Sequence, residues 1–480
     1  MIEIASVNAM GKNKYGNLVE NELQDALDSL VGKEKTEVIN NGDTLAVKFN
    51  ESNRYYEVDS DGNVENIQVV VDKYPGNIKL GINGETLTGD ENSPYEIWCI
   101  EDLIELSNNY ATYSNSYIKL CNNLDFKKGL SYANSKSKEQ GDINEDGTIQ
   151  TLIEEMQTGI GFTPINSFSG VLEGNELTIS NLYINKESKS LALIASNKGT
   201  IKNLKIEDAY IHGTDKVGVI AGINDGTIDN CVSSGDFLAT HWYTGGIAAS
   251  NNGTLSNCVF KGSIKGSKLS YYIGGIVSVN KGTVSYCSNV SDIVGTFSNN
   301  SGGICSSNEG GRIEFCYNQQ VINSIGNSTG GIVGSNKNGG IIKSCYNVGD
   351  FIGTNYNFGG ICGANGESCT VDYCYNKGNI SQKVYGSGGI TGTNSGAVNY
   401  CYNLGTIAKG ASIAGTNGNS IENCYYLKGL IADSCGIEKT EEEMQSQDFV
   451  DLLNLEEENF LLDTNQINGG YPILNWQISK

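Results

Sequence analysis

Three groups of residues in this 480-residue chain have types and spacings that suit chemistry. In GDINEDGTIQTLIEEM, Asp142, Asn144, Asp146 and Gly147 occupy positions 1, 3, 5 and 6 of a candidate calcium loop that leads into a helix. Carboxylate and amide oxygens around a glycine turn are what that hard cation requires. Thr148 and Glu154 complete the candidate set, with the acid expected at position 12 one place late because Ile153 stands there. The competing reading is an acidic Asx-rich turn that caps the helix. The second group is aromatic: His241, Trp242 and Tyr243 precede one GGI run, and Tyr271 and Tyr272 precede the next. Tyr210 and His212 lie one repeat earlier, so both histidines of the chain fall here. No acid keeps a convincing metal ligand's spacing to them, so a recognition patch or ordinary loop packing outweighs a metal or catalytic role. The third group is a row of tyrosines that each follow a cysteine: Tyr317, Tyr346, Tyr375, Tyr402 and Tyr425. One residue beyond an inward cysteine they are expected to face outward, either steadying the coils by stacking or forming a sugar- or partner-binding face.

The elements that place these residues are repeats. At Gly330 the chain reads GGIVGSNKNGGIIKSCYNVGDFIG, and at Gly359 and Gly388 it returns as GGICGAN and GGITGTN. One asparagine recurs as Asn197, Asn224, Asn251, Asn280, Asn308, Asn336, Asn365, Asn394 and Asn417. One cysteine recurs from Cys231 to Cys424, and most steps in both series are 27 to 29 residues, the last being 23. A fixed period in this range signals a solenoid, propeller or array. Each period holds three short β-like runs separated by Gly and Asn, so one period makes one coil of a parallel β-helix, with coils ~4.8 Å apart. A propeller blade needs a longer period, about 40 residues. Ile220, Ile247, Ile276, Ile304, Ile332, Ile361, Ile390 and Ile413 are expected to stack inward. Ile228, Leu255, Val284, Ile313, Ile342, Val371, Val398 and Ile421 form a second inward column. The cysteine lies three residues later, which breaks alternation unless a one-residue left-handed bend intervenes, at positions such as Asn230, Asn257 and Asn423.

Bulk properties agree. Gly numbers 61 and Pro only 4, as turns and doubly paired strands require. A net charge of −23 argues against nucleic acid and anionic membranes, since both need a basic face. No apolar run approaches a spanning helix, and residues 1–20 lack a signal peptide's apolar core. For an exported protein the targeting segment is therefore expected to be missing. Eight of the 14 cysteines share one repeat position, which marks them as buried free thiols acting as small hydrophobes. Such thiols suit a reducing or anaerobic setting.

The chain divides into a small α+β module (1–75), a polar connector (76–94), an N-terminal cap carrying the acidic loop (95–167), the coils (168–430) and a C-terminal cap (431–480). The module combines an amphipathic helix, NLVENELQDALDSLVGKE, with the strands TEVINN, TLAVKF and RYYEVD, closed by a hairpin turn at DSDGN. The tail begins a helix with Thr440 as N-cap and Glu443 as capping box. It ends in the apolar NGGYPILNW, expected to close the stack.

The unit GGIVGSN…CYN-x-G resembles the GLUG-type repeats of bacterial surface proteins, including those that accompany IgA-protease-like enzymes. The stretches YEIWCIEDLIELSNN and GGYPILNW look like the opening and closing segments of such arrays in Firmicute proteins. That resemblance, over residues 95–480, implies a right-handed parallel β-helix displayed outside the cell. The zinc protease domain of some relatives has no counterpart in this sequence. Residues 1–75 resemble the globular part of type IV pilin-like proteins, whose apolar anchoring helix is expected upstream of Met1. Together these imply a non-enzymatic adhesin or pilus-associated protein that binds a glycan or surface protein, with pilin subunits as further partners. No H-E-x-x-H, G-x-S-x-G, Walker or dinucleotide motif occurs. Stacking can nonetheless unite distant carboxylates, so a polysaccharide-degrading glycosidase or lyase is the alternative.

Overall fold

The computed structural model describes residues 78–479 apart from 82–84, 127–160, 187, 240–241, 267–270, 296–299, 354–355, 382–385 and 432–434, together with four earlier strands. Those strands, Thr36–Asn40, Leu45–Phe49, Tyr55–Val58 and Val64–Gln68, pair in order as an antiparallel meander. Three match the expected runs. The fourth comes after DSDGN, where the polar residues in VENIQ dilute the apolar pattern that would announce a strand. The amphipathic helix read from residues 17–34 lies outside the described residues.

From Tyr95 the chain winds into a parallel solenoid bounded by four sheets. An asparagine sheet holds nine strands from Ile194–Asn197 to Ala414–Asn417, and a threonine sheet holds twelve from Tyr95–Ile97 to Ile421–Glu422. A tyrosine sheet holds seventeen from Leu124–Asp125 to Ile437–Lys439, and a short edge sheet holds seven from Ser190–Leu191 to Phe358–Gly359. Pairing begins before the recognisable repeats, because Tyr95 opposes Ile118 and Ile118 opposes Leu172. The expected connector also contributes to the core, with Ile78 fully buried.

The four central coils, between Ala248 and Gly359, contain five strand segments each rather than the three read from the sequence. The coil at 300–324 comprises Asn300–Gly302, Cys305–Glu309, Arg312–Glu314, Tyr317–Asn318 and Ile322–Ser324. Two kinks cut the runs. At the Gly-Gly pair the coils approach so closely that a Cβ on Gly331 would lie 2.1 Å from the Gly360 carbonyl oxygen. At the residue before each cysteine φ is positive: 49° at Asn230, 53° at Asn257 and 50° at Asn423. The expected bend is therefore real, and it is general. Tyr286, Phe315, Ser344, Tyr373 and Tyr400 adopt it too, at 51° to 56°. Bulky residues are disfavoured in that region, and packing offsets the cost: Tyr286 stacks on Phe315 at 4.7 Å and Tyr373 on Tyr400 at 5.0 Å.

Inside, like residues form columns. The eight isoleucines from Ile220 to Ile413 are fully buried, as are Ile228 to Val398 of the second column. Ile421 is half-buried at the open end. None of the fourteen cysteines is in a disulfide, and twelve are buried. In the stacked thiols the backbone N–H of Cys316 points at Cys345 Sγ (3.4 Å) and that of Cys374 at Cys401 Sγ (3.3 Å). Burial pushes the thiols of Cys258, Cys316, Cys345 and Cys401 well above the usual range, which makes them inert packing groups. The asparagine series forms an unbroken amide ladder, each Nδ2 donating to the next Oδ1 at 2.7–3.0 Å. A second amide ladder, not anticipated, links Asn289, Asn318, Asn347, Asn376 and Asn403 at 2.7–2.9 Å.

The helix Ile100–Asn108 covers the first coils with Ile100, Leu103 and Leu106. Asp102, fully buried, accepts N–H bonds from Trp98 and Cys99 on Oδ2 (2.8 and 3.2 Å), while Oδ1 has no partner. Burial, aided by the charge on Glu105, pushes its carboxyl up to about 8 against the pull of those two N–H groups. A carboxyl raised in the folded state stabilises fully below its unfolded value near 4 and ceases to do so as pH climbs to 8. We expect the cap to melt earlier at pH 9 than at pH 5, by a few kcal/mol at about 1.4 kcal/mol per tenfold in proton affinity. Asp102→Asn should flatten that dependence; thermal melts of both proteins at the two pH values check it.

At the far end, residues Leu430 and Ile431 pack on the core and Asn417 Nδ2 donates to Cys435 Sγ. The chain next forms a strand, Ile437–Lys439, and two short helices, Glu441–Met444 and Gln447–Leu453, instead of one long helix. The Thr440–Glu443 capping box is present as read, with bonds of 3.2 and 2.7 Å. The tail beyond these helices does not close the stack. It turns back along the flank of the tyrosine sheet, where Trp476 meets Tyr317 and Tyr346.

Candidate functional site

The tyrosine row is the first candidate, and the tail's course decides its fate. Tyr317, Tyr346, Tyr375 and Tyr402 stack in sequence with ring centres 5.0 Å apart and planes within 7°. Tyr375 and Tyr402 are only 1% and 0% exposed. Trp476 stacks on Tyr317 and Tyr346 at 6.2 and 5.7 Å, and its Nε1 donates to the Ser344 carbonyl at 2.9 Å. Phe460 and Phe449 pack on Tyr402, Phe449 also meets Tyr425 edge-on, and the Tyr375 hydroxyl donates to Gln477 Oε1 at 3.2 Å. The Tyr402 hydroxyl donates to the Pro472 carbonyl and accepts from Asn468 Nδ2. The tail itself is organised by buried Asp463, whose carboxylate accepts from the backbone of Ile467, Asn468 and Gly470 at 2.6–3.0 Å. Of the two readings of the stripe, stacking between coils or a binding face, the rings take the first, and the chain's own tail clasps them. These tyrosines are committed.

The second aromatic group is open. Trp242 is 46% exposed and stacks on Tyr271 at 4.8 Å with planes 22° apart. Tyr243 stacks on Tyr272 at 5.2 Å, because the two are register partners in the edge sheet. Trp242 and Tyr243 lie 6.3 Å apart, so four rings form a two-by-two platform across two coils. Burial raises the Tyr243 hydroxyl above its ordinary value, with help from Tyr272, Glu309 and Asp215. Tyr210, 41% exposed, stacks on Tyr183 at 5.2 Å one coil earlier, and His212 Nδ1 meets Asn185 Oδ1 at 2.8 Å. His241 lies outside the described residues.

The platform sits where the tyrosine sheet turns into the edge sheet. Connections at this corner differ in length from coil to coil: two residues between Gly213 and Lys216, three between Ala239 and Tyr243, five between Gly266 and Tyr272. Length variation confined to the loops of a solenoid is how such folds diversify a binding face. Charges that the sequence patterns did not single out lie beside the rings. Lys281 and Lys337 flank Glu309 at 3.9 and 3.5 Å, and Lys337 Nζ lies 6.0 Å over the Tyr272 ring. The signal for them was available, since all three come one residue after the ladder asparagine.

Elsewhere, stacking brings acids to lysines. Glu96 meets Lys119 at 3.0 Å, Glu173 meets Lys202 at 3.2 Å and Glu176 meets Lys205 at 3.3 Å. Among the described residues no group of three His, Cys, Asp or Glu side chains could hold a metal ion. The candidate calcium ligands Asp142, Asn144, Asp146, Thr148 and Glu154 lie outside them. Among the described residues no helix is long and apolar enough to cross a membrane.

No family model matches the chain. Over 134 residues, 26% of this chain, it is 30% identical to halomucin of Haloquadratum walsbyi. That match takes in 1% of halomucin, so the chain spans a very small part of that relative. A crystal structure of a candidate immunoglobulin A1 protease from Bacteroides ovatus aligns over 83% of this chain and 97% of its own, at 17% identity and a TM-score of 0.34. A likeness at that score carries no functional weight.

Proposed function

We propose that the protein is an extracellular, cell-surface binding protein, an adhesin or pilus-associated component, that recognises glycans through the platform of Trp242, Tyr243, Tyr271 and Tyr272. The observation that carries this reading is the exposed Trp242 ring stacked on Tyr271 beside a second stacked pair at the sheet corner. Aromatic faces suit sugars, whose C–H surfaces pack on rings while hydroxyls stay at the wet rim. The partial match to halomucin, the likeness of the repeat to GLUG-type surface repeats and the charge of −23 all favour a surface setting. Repeated coils hold side chains in rows, so several weak contacts along one chain can act together.

A screen of immobilised glycans and intact mucins tests it. Trp242→Ala is expected to weaken binding of any captured glycan at least tenfold, about 1.4 kcal/mol, with an unchanged melting temperature. Silence of the native protein across both sets would sink the reading, and release of reducing ends from polysaccharide would replace it with an enzyme. Calcium is proposed for the loop at Asp142. Melting with calcium and with chelator should differ in the native protein and coincide in Asp142→Ala.

A further inference from the structure

The thiol column is sealed in the core and the tyrosine row is clasped by the tail, which leaves the charges beside the aromatic platform to define a ligand. The column one residue beyond the asparagine ladder reads Asp225, Asn252, Lys281, Glu309 and Lys337 from coil to coil. Asn252 Nδ2 satisfies Asp225 at 2.6 Å. Above it, two ammonium groups share one carboxylate, Glu309, which also accepts from Ser307 Oγ at 3.3 Å. The trio carries one surplus positive charge in a chain of net −23. The Lys337 side chain is 38% exposed, so its ammonium remains within reach of a ligand. Its Nζ lies 6.0 Å over the Tyr272 ring, whose register partner in the next coil is Asn300. A cation over an aromatic face, beside open rings, is a place where a sugar can stack and meet a positive charge at once. Asp215 lies on the opposite side, against Tyr243, so the positive charge sits at one end of the platform.

We infer that the platform takes an acidic glycan, with a carboxylate-bearing sugar, a hexuronic or a sialic acid, seated against the exposed Trp242 ring and its carboxylate drawn to Lys337 and Lys281 beside Tyr272. This rests on the glycan reading above and narrows it. The test uses the full chain with uronate oligomers and sialylated oligosaccharides, each beside its methyl ester, which keeps the shape and removes the charge. The acid form is expected to bind at least tenfold more tightly than its ester, and whichever acid does so identifies the source. Lys337→Gln should abolish that difference while leaving ester binding in place, and Lys281→Gln should reduce it. Equal affinity for acid and ester overturns this inference and leaves glycan binding standing. Absence of binding to every carbohydrate overturns both.

Discussion

Replacing Asn308 with alanine is expected to cost about 3–5 kcal/mol and to split unfolding into two steps. Asn308 sits mid-ladder and is fully buried: Oδ1 accepts from Asn280 at 2.9 Å, and Nδ2 donates to Asn336 Oδ1 at 2.9 Å and to the Gly311 carbonyl at 2.8 Å. Alanine removes the 2.9 Å acceptor of Asn280 Nδ2 and strands the buried Asn336 Oδ1, while the Gly311 carbonyl keeps only the Ile341 N–H. Each such group costs about 1–3 kcal/mol, and a chain of polarised amides loses more than the broken links alone. Because each coil touches only its neighbours, a fault at the centre weakens coupling between the halves. Denaturant unfolding followed by circular dichroism should show one transition in the native protein and two in Asn308→Ala. Asn417→Ala is the control, since that residue is exposed on the last coil and should cost far less. Asn308→Asp adds a sign. The new carboxyl must donate to Asn336 Oδ1, which only its protonated form can do, so its stability should recover as pH falls. A single transition with an unchanged midpoint in Asn308→Ala would refute the ladder as a structural support.

Much of this was legible because repetition writes geometry into sequence. In-register parallel strands place identical positions above one another, so a letter recurring every 27 to 29 residues is a column in space. The isoleucine, cysteine and asparagine series could be read that way, and so could the left-handed bend, from Asn230, Asn257 and Asn423. The second amide ladder obeyed the same rule through the Asn of CYN, but the more prominent Tyr before it masked the signal. Splitting of the central coils into five segments was not legible. It depends on backbone approach at Gly-Gly pairs, where the contacting atom belongs to the next coil.

The tyrosine row shows where periodic reasoning ends. Its spacing correctly gave a stack, but exposure depends on what lies outside the repeat. The covering residues, Phe449, Phe460, Pro472 and Trp476, are non-periodic and lie up to 159 positions from Tyr317. An apolar, aromatic tail beside an apolar, aromatic stripe was the available signal, since each needs a surface to bury against. The open platform was found for the opposite reason. Trp242, Tyr243, Tyr271 and Tyr272 interrupt the repeat at its variable corner, where packing asks for nothing so large.

Trp476→Ala is expected to loosen the tail while the coils stay folded. The ring is 7% exposed and meets four others: Tyr286 and Phe315 edge-on at 6.2 and 6.3 Å, and Tyr317 and Tyr346 face-on. Its loss removes a buried indole and strands the Ser344 carbonyl, a cost of about 3–5 kcal/mol for this class of substitution. The bonds of Ser344 Oγ to Asn459 Oδ1 at 2.8 Å and of Lys343 to Glu457 remain, as do the contacts of Phe449, Phe460 and Asn468 with Tyr402, so the tail opens more often without detaching outright. Such opening is sub-global, since the ladders of the coils do not pass through the tail. Hydrogen exchange should therefore accelerate across residues 440–479 and little elsewhere, and limited proteolysis should cut between Asn454 and Pro472. Trp476→Phe keeps an aromatic ring but loses the 2.9 Å bond to Ser344, and should give an intermediate effect. While the tail is open, Tyr375 and Tyr402 become accessible, detectable as a fall in their fluorescence polarisation and a gain in nitration. Uniform exchange rates across coils and tail in Trp476→Ala would show instead that the two unfold as one unit, and that the indole is no clasp.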